Sequence, residues 1–196
     1  MRIVMNIIMR TLRIYLAALL LASTLFGQSK TRFEQPILIT SAGQSADVTL
    51  VSMLCKKLSL KAKAIPMAKI SDLADAKTLV IVAGFSSKGL GAAGISREQE
   101  LDRVKDIIEA AKKQKTPILM MHIGGKPRRG TQSDEFNQIA AQAADRMLVV
   151  KQGDEDKFFS DIAAKNKTSI DIIEKIVDAQ KPLADYFQSS QNTGSK

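Results

Sequence analysis

Apolar and polar positions along the chain follow two rhythms. Short, nearly unbroken apolar runs occur at Pro36–Thr40, Thr78–Phe85, Pro117–Ile123 and Met147–Val150. Runs of that length, rich in Ile, Val, Leu and Met, predict strands covered on both faces. Leu60–Met67 is weaker and alternating, with Lys61 and Lys63 on it, which suits a sheet edge. Between these runs apolar residues recur at helical spacing. Val48, Val51, Leu54, Cys55 and Leu58 predict a helix over 45–58. Ser96 followed by Gln99 has the form of a capping box ahead of the stripe Leu101, Val104, Ile108 and Ala111. Ser133 is expected to cap a helix over Asp134–Ala144, and Asp154 to open one carrying Phe158, Ile162 and Ala163. Ser71–Lys77 reads as one or two helical turns, Ile170–Ile176 as a last short strand and Val177–Phe187 as a closing helix. Ser86–Gly94, with three glycines, reads as a long loop.

Strands separated in strict succession by helices imply an α/β fold. The expectation is a single three-layer domain over residues 30–188 with a mostly parallel sheet of about five strands. The edge character of Leu60–Met67 places it outside the first strand and predicts the order 2-1-3-4-5, as in flavodoxin-like sheets. Ser189–Lys196 is a polar tail, expected to be disordered.

The amino terminus has a different grammar. Ile14–Phe26 is an uncharged apolar run preceded by Arg2, Arg10 and Arg13. It is short for a membrane span and fits a secretory leader over residues 1–29, with cleavage after Ser29, Gly27 or Thr24. The expected location is therefore outside the cytoplasm, periplasmic or extracellular, with an uncleaved anchor as the alternative.

Composition narrows the chemistry. Of 196 residues 45% are hydrophobic and 25% charged, as in ordinary globular proteins. One cysteine excludes an internal disulfide framework, and one cysteine with one histidine argues against a zinc site. Tryptophan is absent and aromatics are 5%, which argues against nucleic-acid partners bound by stacking. The formal charge is +9, and all 20 carboxylates lie beyond the leader, mixed with lysines along the helical stretches. No cofactor is implied. Gly89, Gly91 and Gly94 match G-x-G-x-x-G but follow the third strand, and no acidic residue ends the next one. Gly125–Thr131 has the outline of a phosphate loop with threonine in place of the required lysine.

In a sheet of this order a ligand lies beyond the strand carboxyl ends, at the switch point. Three loops, Ser41–Ala46, Ser86–Ile95 and Gly124–Gln132, are expected to meet there. Lys88, Arg128 and Arg129 would supply charge to an anionic small molecule, a phosphate or carboxylate. Ser41, Gln44, Ser45, Ser86, Ser87 and Ser133 would orient it. Gly43, Gly89, Gly91, Gly124 and Gly125 would admit its close approach, and His122 would line the floor. The first expectation is thus an exported anion-binding protein, with a membrane protein as its partner. A second is an exported hydrolase or transferase using Ser86 or Ser87 with His122 as base. A third is a non-catalytic envelope interaction module, with glycine loops serving architecture alone. No catalytic motif is present. Glu98, Glu100 and Asp102 suit compensation of a helix dipole, and Cys55 falls on a buried stripe.

Three segments, Ile37–Asp47, Ser86–Gly94 and His122–Gly125 with Arg128–Gly130 and Ser133–Asp134, together resemble a family of exported bacterial α/β domains of unknown function. The resemblance spans residues 36–187 and implies a single exported domain. It transfers no catalytic residue.

Overall fold

The computed structural model describes residues 33–188. The expected leader and the polar tail from Ser189 lie outside the described residues. Six strands form one sheet: β1 Ile37–Ala42, β2 Ala62–Ala64, β3 Thr78–Ala83, β4 Ile118–His122, β5 Arg146–Val150 and β6 Ser169–Ile173. Their order is 2-1-3-4-5-6, and every neighbouring pair is parallel. The expected order thus holds; the sheet has six strands rather than about five, the sixth being the last short strand read at Ile170–Ile176. That strand is half exposed and carries Ser169 and Asp171, so its apolar signal is diluted.

Strands β1, β3 and β4 are buried along their whole length. Alternate side chains leave the sheet on opposite faces and build two cores. Leu38, Leu79, Ile81, Ile118 and Met120 join Leu101, Val104, Ile107, Phe136 and Phe159 on one face. Ile39, Val80, Val82, Leu119 and Met121 join Phe33, Val51, Cys55, Leu183 and Phe187 on the other. The six helices among the described residues are α1 Asp47–Lys57, α2 Ser87–Ala93, α3 Arg97–Gln114, α4 Thr131–Ala143, α5 Phe158–Asn166 and α6 Gln180–Gln188. Helices α3, α4 and α5 cover the first face, and α1 and α6 the second.

Local chemistry sets the helix ends. Ser96 Oγ accepts from Gln99 N, and Gln99 Oε1 accepts from Ser96 N at 2.8 Å, so the expected capping box forms. Asp154 caps α5 from four residues upstream, its carboxylate accepting from Phe159 N at 2.7 Å.

Two expectations are corrected. Ser86–Gly94 is not a loop. Ser86 Oγ accepts from Gly89 N at 3.1 Å and starts α2, and Gly94 ends it in the left-handed conformation. Gly89 is needed for packing rather than for a turn: a Cβ there would lie 1.9 Å from the Gln44 carbonyl oxygen. Ser133 does not cap α4. Gly130 precedes that helix at φ +107°, its carbonyl accepting from Ser133 N and Asp134 N, and Ser133 Oγ instead accepts from Phe85 N at 3.3 Å.

Both cores and all six strands lie within residues 33–187. The polypeptide from Lys30 onward is therefore expected to fold by itself. Circular dichroism should show one cooperative thermal transition, and a gradual, non-cooperative loss of signal would show the core to be incomplete.

Candidate functional site

The sheet reverses direction of growth at β1, so the ligand crevice of such a fold would open between the loops after β1 and β3. These loops are zipped together. Gly84 N donates to Ala42 O at 2.9 Å, Ser86 N to Gly43 O at 2.8 Å, and Gln44 bridges Phe85. Gly43 sits at φ +101°, and a Cβ there would lie 2.7 Å from the Gly84 carbonyl oxygen. Its glycine character thus serves the approach of two backbones.

The third loop does converge on the other two. Arg128 Nη1 donates to Phe85 O at 3.1 Å, and its Nε lies 3.4 Å from Asp47 Oδ2 at the start of α1. The aliphatic part of Arg128 runs over Gly84 and Gly124, where a Cβ on Gly124 would fall 2.1 Å from Cγ. Gly125 is left-handed at φ +62°. Arg129 is held still more completely. It donates to Asp134 at 2.7 Å, to both Asp156 oxygens at 2.8 and 2.9 Å, and to the Gly153 carbonyl, and it lies over the Phe158 ring. Burial opposes its charge, but the bonds to Asp156 and Asp134 outweigh that and hold its pKa above the usual arginine value. Its donated bonds push Asp156 down to about 2.

Polar groups at the strand ends are mostly turned inward. Ser45 Oγ accepts from Asp47 N at 3.1 Å. Ser41 is buried, and its hydroxyl has no hydrogen-bond partner. His122 is also fully buried, with Nδ1 3.2 Å from the Ala83 carbonyl, Nε2 3.2 Å from the Gly125 carbonyl, and its ring against Phe159. Burial lowers its pKa, against the two carbonyls that favour the charged ring. The structure therefore gives the imidazole carbonyl partners rather than Ser86 or Ser87, and Ser86 is engaged in capping α2. Ser87 and Lys88 are exposed, and Gly91 faces open space.

A group of unexpected importance lies beneath these loops. Glu100, on the first turn of α3, has no solvent exposure. It accepts from Gly43 N at 2.9 Å and Gln44 Nε2 at 3.0 Å, and pairs with both Nε and Nη2 of Arg103 at 2.7 and 2.9 Å. Arg103 continues to the carbonyls of Ser41 and Ala68 and to Thr40 Oγ1. The sequence signal is subtle: Glu100 and Arg103, three apart, border the apolar stripe of Leu101 and Val104.

From residue 34 to residue 187 the chain matches the family described as Domain of unknown function (DUF6305). The chain belongs to that family. The expected kinship with an uncharacterised α/β domain is thereby met. No curated protein matches this DUF6305 domain. Among solved structures it is similar to AlinE4, an SGNH-hydrolase family esterase, at 13% identity and TM-score 0.30 over 87% of this chain and 88% of that one. A GDSL-like lipase from Bacteroides thetaiotaomicron VPI-5482 is similar at 11% identity and TM-score 0.33, over 69% of this chain and 66% of that one. Neither likeness is close enough to carry a residue's role across.

Several hollows open among the described residues, one of them of about 320 Å³ between α3 and α4. A hollow of about 330 Å³ at the strand ends is lined by Lys126, Arg129, Gly130, Asp134, Gln152, Glu155 and Asp156. Three carboxylates against two cations make it a poor anion cradle. Larger hollows of about 500 and 610 Å³ adjoin through Ile70 and Asp106, between the 3-10 turn Ile70–Leu73 and α3. Ala68, Ile107 and Ala110 floor this groove, and Ile70 is 51% exposed on its rim.

Two outcomes follow for the DUF6305 domain. Arg103→Met strands Glu100 as an unpaired buried charge and is expected to cost about 3–5 kcal/mol in urea unfolding; a cost below about 1 kcal/mol would show the pair to be dispensable. Burial pushes the Cys55 thiol up to about 11. At pH 8 only about a thousandth would be thiolate, so Ellman's reagent should leave the native protein unmodified and titrate one thiol after denaturation. Rapid native labelling would place Cys55 in reach of solvent.

Proposed function

We propose that the protein is an exported, non-catalytic interaction module of the cell envelope, and that its working surface is the groove between the Ile70–Leu73 turn and α3. The observation that carries this reading is the division of polar groups over the surface. At the strand ends, where a substrate would be handled, Ser45, Ser86, His122, Arg128, Arg129 and Ser133 already have partners within the domain. The groove has more room, an apolar floor, and a rim of Lys69, Asp102, Asp106, Glu109 and Lys113. Such an apolar strip edged by charges of both signs suits a protein segment more than a small anion. Export rests on the leader-like sequence of residues 1–29.

A photo-reactive residue at position 70 is expected to trap a discrete protein adduct in the envelope fraction, while one at exposed position 165 does not. Equal labelling at both positions, or none, would count against the groove. Ester or phosphoester turnover that disappears in Ser86→Ala or Ser87→Ala would overturn the non-catalytic reading.

A further inference from the structure

The chain contains a long stretch of one sign. Between Asp47 and Asp72, residues 48–71 hold five lysines and no carboxylate. In the fold this stretch becomes α1, the turn after it and the edge strand β2. Lys56 and Lys57 are exposed at the end of α1, and Lys61 and Lys63 are exposed along β2. None of the four takes part in the ion pairs of the described residues.

The same helix shows apolar side chains to water. Met53 is 61% exposed and Leu50 40%. With Lys57 they stand at i, i+3 and i+7, which is one stripe of the helix, opposite the buried Val48, Val51 and Cys55. Lysines on a short edge strand guard against edge-to-edge pairing, which accounts for Lys61 and Lys63. Lys56 and Lys57 stand in the last turn of α1, where they offset the helix dipole. Neither device accounts for a leucine and a methionine turned outward ahead of them on the same helix.

We infer that α1 and the β2 edge dock on an anionic lipid surface. Leu50 and Met53 enter the boundary between headgroups and acyl chains, and Lys56, Lys57, Lys61 and Lys63 lie at headgroup level. Lysine is suited to that geometry because its aliphatic stem shares the apolar layer while the ammonium stays among the phosphates. An exposed leucine and methionine bring nothing to a purely electrostatic partner such as a nucleic-acid backbone, and they are what a bilayer interface rewards. The chain also enters the described fold on this side: Phe33 packs in the same cluster as Val51 and Cys55 of α1. The inference is independent of the groove and of what occupies it.

The test uses the polypeptide from Lys30 onward and vesicles of phosphatidylcholine, alone or with about 30% phosphatidylglycerol. Co-sedimentation is expected with the anionic vesicles and not with the neutral ones, and raising salt from about 0.1 M to about 1 M should release the protein. Each basic residue at such a surface is worth about fivefold in partitioning, so Lys56→Glu with Lys57→Glu should lower binding by roughly 30-fold or more. Lys105→Glu with Lys112→Glu changes the net charge equally, on α3 across the sheet, and should leave binding within about twofold. Met53→Ser should weaken binding several-fold while keeping its salt dependence. The inference is overturned if anionic vesicles do not retain the protein, or if the two double reversals act alike. Circular dichroism of each variant separates loss of binding from loss of fold.

Discussion

A buried carboxylate and guanidinium hold the carboxyl edge of the sheet in place. Glu100 and Arg103 come from the first two turns of α3, and between them they bind the backbone or side chains of Thr40, Ser41, Gly43, Gln44 and Ala68. These groups belong to the end of β1 and to the segment after β2, which must otherwise leave the sheet with unsatisfied amides and carbonyls. Burying two charges is costly unless each is paired and hydrogen-bonded. Here both conditions are met, and the pair fixes the shape of the loop on which the zipped contacts with Gly84 and Ser86 depend. With that loop fixed, Gly89 can rest on the Gln44 carbonyl, and α2 can form where its own glycines would not support a helix.

The main strands were legible because a parallel strand covered on both faces has no choice but to be apolar throughout. The apolar runs at 78–83, 118–122 and 147–150 therefore announce themselves, while Arg146 at the start of β5 does not. Helix α3 was legible from its capping box and stripe. Helix α2 was hidden because its stability comes from packing against residues more than forty positions away, while its local composition speaks for a loop. The convergence of the three loops was legible from topology, but their chemistry was not. Arg128 and Arg129 look like anion ligands until Asp47, Asp134 and Asp156 are brought beside them, and an ion pair between residues 27 apart, as for Arg129 and Asp156, leaves no local trace.

Net charge had a similar limit. An excess of lysine and arginine says nothing of where it is left uncompensated. Folding pairs Arg128 and Arg129 at the strand ends with carboxylates and leaves bare the lysines of α1 and β2, where no carboxylate stands within the stretch 48–71. The same contrast separates two of the hollows: the smaller one at the strand ends is crowded with paired charges, and the groove beside α3 is floored by aliphatic groups.

Every neighbouring pair in the sheet is parallel, so none of the six strands can meet its neighbour through a simple hairpin. Each contact waits for a crossover of a dozen or more residues, and the one between β1 and β3 contains β2. Chains of this topology condense slowly, because long loops must close before any reward is collected.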